Sequence, residues 1–125
     1  MDIVQRIDNI LRRMADAARA AQRSPETVKL VCVSKTVAAD RIRKAAAAGI
    51  TLLGENYVQE ARDKIVALAD LDLNWHFIGH LQTNKSKYVV RLFDLIHSVD
   101  SLRLADELNK QAAKVPKVQR VLVQV

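Results

Sequence analysis

An α/β fold is the class this sequence predicts: a partial (βα) TIM-type barrel of about five strands behind an N-terminal helix. Three observations carry that reading. Apolar runs rich in Val, Ile and Leu recur roughly every 20–25 residues, and a segment of helical periodicity separates each from the next. The first run passes into Ser34-Lys35-Thr36-Val37 rather than a glycine-rich turn, and the chain has only three glycines. Neither a dinucleotide fingerprint nor a P-loop is present, which weighs against an open doubly wound sheet. Finally, the strand runs end in polar clusters, as they do where a barrel gathers its strand ends at one mouth.

The elements follow in order. From Ile3 to Gln22, the residues Ile3, Ile7, Ile10, Leu11, Met14, Ala18 and Ala21 form one helical stripe, with Arg6, Arg12, Arg13 and Arg19 mostly on the other side. Ser24-Pro25 ends this helix. The predicted strands are Val28–Ser34, Thr51–Gly54, Asn74–Gly79, Leu95–Val99 and Val118–Val125. The first intervening helix, Ala39–Ala48, is alanine-rich and stopped by Gly49. The next, Asn56–Ala69, spaces Val58, Ala61, Ile65 and Leu68 along one face. Asn84–Leu92 has Asn84 as its candidate cap. Ser101–Lys114 carries Leu104, Ala105, Leu108 and Ala112 and stops before Pro116.

Composition limits the function classes. The chain has 125 residues, half of them hydrophobic, which suits one domain spanning 1–125. No segment is long and apolar enough to cross a bilayer, and Met1-Asp2-Ile3-Val4-Gln5-Arg6 lacks a signal-peptide layout. The single cysteine, Cys32, excludes an internal disulfide framework and reads as a small buried hydrophobe. A cytoplasmic protein without a membrane partner is expected. The formal charge of +6 raises nucleic-acid binding, but the basic residues alternate with acids and aromatics are only 4% of the chain. A solvated basic surface is the preferred explanation, with no nucleic-acid partner.

A complete (βα)8 barrel needs about 250 residues. The chain stops after its fifth apolar run, Val121-Leu122-Val123-Gln124-Val125. The expectation is an N-terminal portion of a longer barrel, or a sheet completed by self-association through its open edge.

Lys35 is the principal candidate residue. It ends the run Lys29-Leu30-Val31-Cys32-Val33-Ser34, at the strand end that faces the ligand crevice in α/β folds. An amine partly desolvated there favours its neutral form, a nucleophile toward aldehydes. Most strand-end lysines are simply solvated, so the other clusters matter: Gly54-Glu55-Asn56-Tyr57, Gly79-His80-Leu81-Gln82-Thr83-Asn84-Lys85 and His97-Ser98-Val99-Asp100-Ser101. Asn56 and Asn84 read equally well as helix caps. Glu55 reads either as holding a backbone group or lysine amine, or as a first-turn acid favoured by the helix dipole. His76, inside Trp75-His76-Phe77-Ile78, reads as a hydrogen-bonded core histidine. A metal site is not expected, because His76 and His80 do not aim at one point from a strand and turn.

The segments Val33-Ser34-Lys35-Thr36, Gly54-Glu55-Asn56-Tyr57-Val58-Gln59-Glu60 and Trp75-His76-Phe77-Ile78-Gly79-His80-Leu81-Gln82-Thr83-Asn84-Lys85 occur in order. Together they closely resemble the pyridoxal phosphate homeostasis protein family, also described as proline synthetase co-transcribed homologues, over nearly the whole chain. The resemblance implies a barrel like the N-terminal domain of alanine racemase, of fold type III. It implies that pyridoxal 5′-phosphate is held as a Schiff base on Lys35, with no catalytic residue and no robust turnover. It also implies a role in vitamin B6 and amino-acid homeostasis, with cofactor-dependent apo-enzymes as recipients. Asn56 and His76 are carried over as cofactor-binding positions; Asn84 and Lys85 match the motif without an individual role.

Two departures stand out. Val37 and Ala38 occupy positions where the family usually has lysine and proline. The family's phosphate cup and the arginine facing the pyridine nitrogen belong to later strands, beyond the five runs here. The rival readings are a fold-type III racemase-like enzyme and a basic nucleic-acid-binding module. A racemase would need a second acid/base opposite the lysine, and neither Tyr57, Tyr88 nor Cys32 suits that role by its position.

Overall fold

A computed structural model describes residues 1–125. Five parallel strands, β1 (Cys32–Val33), β2 (Leu52–Glu55), β3 (Asn74–Phe77), β4 (Leu95–Val99) and β5 (Arg120–Val123), pair in the order β1-β2-β3-β4-β5. A doubly wound sheet would reverse direction from an inner strand; this monotonic order is that of a barrel arc. Helices α1 (Ile3–Ala20), α2 (Ala39–Ala47), α3 (Val58–Ala67), α4 (Ser86–Leu92) and α5 (Leu102–Lys114) precede or link the strands. The expected fold class therefore holds.

Local chemistry fixes the helix ends. Asp2 accepts from the Gln5 backbone while the Gln5 side chain accepts from the Asp2 backbone, a reciprocal capping box for α1. Both α1 and α2 close in Schellman turns. Arg23 donates to the Ala18 carbonyl and Gln22 to Arg19, while Ile50 donates to Ala45 and Gly49 to Ala46. Gly49, at φ +108°, is the left-handed residue that the second turn requires. Lys117 Nζ donates to the Val90 and Phe93 carbonyls at 2.7 and 2.8 Å, tying the end of α4 to the entry of β5.

Strand alternation gives the sheet two different faces. Leu53, Trp75, Phe77 and Ile96 turn toward the helices and join Ile42, Ala61, Val89, Phe93, Leu104 and Leu108 in the core. The cross-strand neighbours Val33, Gly54, His76 and Leu95 lie on the other face. A Cβ on Gly54 would lie 2.9 Å from both the Val31 and Ile78 side chains, so a larger residue there requires those side chains to shift. In β4, an extra residue between Ile96 and Val99 bulges the strand against β5.

The expected element boundaries need correction. The first strand was expected over Val28–Ser34, but only Cys32–Val33 pair with β2; the stretch before them follows a 3₁₀ turn at Pro25–Thr27. The last is Arg120–Val123 rather than Val118–Val125. Neither asparagine caps its helix: α3 begins after Tyr57, and α4 after a 3₁₀ turn at Thr83–Lys85, each without a capping side-chain bond. Parallel edge strands gain ladder bonds on one side only, so apolar composition overstates their length.

Gly79 joins the β2 and β3 ends. A Cβ there would come within 2.8 Å of the Asn56 carbonyl oxygen, and backbone cannot swing aside as a flexible side chain can. Gly79→Ala should cost about 1–3 kcal/mol, read as a lower urea midpoint at unchanged m-value.

Candidate functional site

Lys35 lies just past the carboxyl end of β1, in a turn closed by the Val37 backbone donating to the Ser34 carbonyl at 3.0 Å. Thr36, third in this turn, has φ +64°. That geometry is easy for glycine and costly, by about 1–3 kcal/mol, for a β-branched residue. Ser34, the residue after Val33, is buried against Glu55, whereas Lys35 is exposed in the turn. The Lys35 side chain is exposed and joins none of the ion pairs, which run through Arg12, Arg19, Arg43 and Lys64. The expected partial desolvation of this amine is therefore absent: five strands form an arc, not a closed mouth that could exclude water.

Behind the turn lies a buried polar cluster. Glu55, at the end of β2, is 0% exposed and Lys64 of α3 is 7% exposed. Lys64 Nζ lies 3.0 Å from Glu55 Oε2, 3.1 Å from Glu60 Oε2 and 2.5 Å from the Ser34 carbonyl oxygen. Ser34 Oγ donates to Glu55, and the Thr36 amide donates to Glu60 Oε2 at 2.6 Å. Burial alone would raise the Glu60 pKa, but hydrogen bonds from Lys64 and the Thr36 backbone outweigh it and hold the carboxyl below its usual value. Removing one member of such a pair leaves a buried charge uncompensated, at a cost of about 3–5 kcal/mol.

Of the expected alternatives for Glu55, binding a lysine amine is the one observed. Lys64 and Glu60 went unrecognised as site residues. The available signal was spacing: Lys64 follows Ala61 by three positions and precedes Leu68 by four, so it belongs to the buried stripe of α3. A lysine on an apolar stripe calls for an acid, and Glu60 stands one helical turn before it.

Asn56 leaves β2 beside Gly79, and its Oδ1 is buried without a hydrogen-bond partner. His76 sits mid-strand on the same sheet face as Val33 and Gly54. Its Nδ1 is 2.9 Å from His97 Nε2, so one ring donates and the other accepts. The structure thus joins His76 to His97 rather than to the Lys35 turn. Cys32 is half-buried, and burial pushes its thiol pKa up, as expected of an inert packing residue.

A cavity of about 720 Å³ opens where β2 and β3 end, lined by Asn56, Tyr57, Arg62, His80, Lys85 and Tyr88 among others. Lys35 is outside its lining. The cavity is walled by the strand ends and by the starts of α3 and α4, whereas Lys35 is exposed in the turn after β1. No three His, Cys, Asp or Glu side chains gather in a metal-binding cluster.

Burial depresses both histidine pKa values, and the neighbouring ring adds to the effect at His76. The unfolded chain therefore takes up protons more readily below the ordinary value of about 6.5. Stability is complete above that pH and is lost as acid drives it through the lower folded-state values. Urea melts at pH 7.5 and 5.5 should show this loss, and His76→Gln/His97→Gln should flatten it; equal slopes would refute the assignment.

Residues 6–125 match the family described as alanine racemase, N-terminal domain. The chain is 49% identical over 109 residues to the pyridoxal phosphate homeostasis protein of Pseudomonas aeruginosa, covering 87% of this chain and 47% of that one. It is 46% identical over 125 residues to the protein of the same name from Aquifex aeolicus, covering 100% and 55% respectively. Among solved structures, PipY of Synechococcus elongatus with pyridoxal phosphate bound superposes at TM-score 0.78 and 44% identity, over 87% of this chain and 52% of PipY. An unknown protein from Bifidobacterium adolescentis superposes at TM-score 0.85 and 30% identity, covering 96% and 53%. The chain spans about half the length of the relatives it matches.

Proposed function

The chain belongs to the alanine racemase N-terminal domain family, and from that premise we propose that it holds pyridoxal 5′-phosphate covalently through Lys35, as a part or the whole of a protein acting in pyridoxal phosphate homeostasis. The observation that carries this reading is the place of Lys35: an amine free of ion pairs, past a barrel strand, in a chain 44% identical to a protein solved with that cofactor. The cofactor supplies an aldehyde, which condenses with an amine to a Schiff base and releases water.

The side chains present suit one end of such a ligand. Lys35 offers the nucleophile, and Asn56, just past the end of the adjacent strand and on the wall of the neighbouring cavity, is proposed as a second contact. His76, paired with His97, supports the concave wall rather than offering a free ring nitrogen. No side chain described here is assigned to the phosphate. Enclosure of the open side of the arc would exclude water from Lys35 and favour its neutral form.

Holding and handing on the cofactor is favoured over turnover. The relatives are named for homeostasis rather than for a reaction. Tyr57 is exposed at the start of α3, Tyr88 is exposed on α4, and Cys32 has a raised pKa, so none suits a second acid/base against Lys35. No helix is long and apolar enough to cross a membrane, which is compatible with the cytoplasmic work proposed. Transfer to cofactor-dependent apo-enzymes, and association through the β5 edge, which pairs with β4 alone, belong to the same proposal.

The test uses protein made from the complete gene, incubated with pyridoxal phosphate and reduced with borohydride. A reduced adduct mapping to Lys35 by mass spectrometry is expected, and Lys35→Ala should lose it. An adduct elsewhere, or none, overturns the assignment. Rapid solvent exchange at the α-carbon of an added amino acid would favour the racemase-like alternative.

A further inference from the structure

Resting on that reading, we propose that Lys64 and Glu60 are positioning residues for Lys35, holding its turn by the backbone on either side of it. The bonds identify what the buried cluster does. Lys64 donates to the carbonyl of Ser34, and Glu60 accepts from the amide of Thr36. Ser34 is further bound through its hydroxyl to Glu55, which meets the same Lys64 ammonium. The peptide segments immediately before and after Lys35 are thus both tied to α3, and one is also tied to β2.

Two physical arguments separate this role from ordinary packing. A buried ion cluster is a poor way to add stability, because desolvation offsets most of its Coulomb energy. Its position here, on an otherwise apolar helix stripe, therefore calls for another reason. Thr36 supplies it. A β-branched residue resists φ +64° and would relax toward an extended conformation, swinging the Lys35 Cα–Cβ bond with it. The Glu60 bond to the Thr36 amide opposes that relaxation. The cluster bonds Ser34 and Thr36 but not the exposed Lys35 side chain between them, so it sets the frame of the nucleophile without touching its amine.

The experiment measures the rate at which pyridoxal phosphate forms the borohydride-trappable adduct at Lys35, again in protein from the complete gene. In parallel, hydrogen exchange at the Thr36 amide is followed without cofactor. Glu60→Ala should slow adduct formation roughly tenfold to hundredfold, the scale that follows from misplacing a reacting group by about an ångström. It should also deprotect the Thr36 amide while the fold persists. Glu60→Gln, which keeps an acceptor oxygen, should fall between Glu60→Ala and wild type. Adding Thr36→Gly to Glu60→Ala should recover part of the rate, because glycine adopts the turn without a clamp. Lys64→Arg should retain more of the rate than Lys64→Met. If Lys64→Met does not fold, the Glu60 series decides.

Wild-type labelling rates in Glu60→Ala, with the Thr36 amide exposed, would overturn the positioning role. Absence of any wild-type adduct would overturn the cofactor reading. A Thr36 amide protected only when Glu60 is present would then identify the missing cofactor chemistry, rather than a missing clamp, as the cause.

Discussion

The buried contact between Lys64 and Glu55 is the constraint around which this half-barrel is organised. It joins the third helix to the second strand and, through Ser34, to the first. The first strand has only two paired residues and sits at the sheet edge, with few ladder bonds of its own. Its end is held instead by a charge-assisted network, whose bonds are stronger than neutral ones. The cluster keeps two unpartnered buried oxygens, Glu55 Oε1 and Glu60 Oε1, so it is not simply a well-satisfied stabilising pair.

The rest of the architecture gives that geometry a rigid base. One sheet face and the helices share an apolar core that includes an edge-to-face contact between Phe77 and Phe93, with ring centroids 5.2 Å apart. The opposite face is narrow at Gly54 and polar at His76 and His97. Helices cover the first face and leave the second as the concave side of an arc.

Much of the fold was legible from the sequence because periodicity reports burial directly. Ile7, Ala61, Leu68, Leu104, Leu108 and Ala112 all lie on the helix stripes expected of them, and Gly49 ends α2 in the left-handed conformation its position suggested. Strand ends were less legible. Val28 and Val118 read as strand by composition, yet pairing depends on a neighbouring chain segment at the right height, which composition does not encode. Asn56 and Asn84 failed as caps because the chain takes an extra residue or a 3₁₀ turn before each helix begins. Of the candidate site, the polar strand ends could be named, but Lys64 could not be told from a solvated helix lysine until its three oxygen partners were known.

The sequence alone determined the alternation of strands and helices and the place of a lysine just after the first strand. These follow from local pattern and steric preference, which act over a few residues. The tertiary structure decided which groups that lysine's turn leans on, that His76 answers to His97, and that the amine stands in water on this arc. Those outcomes depend on residues 20 to 30 positions apart being brought within hydrogen-bond reach, at distances and degrees of burial that no local pattern specifies.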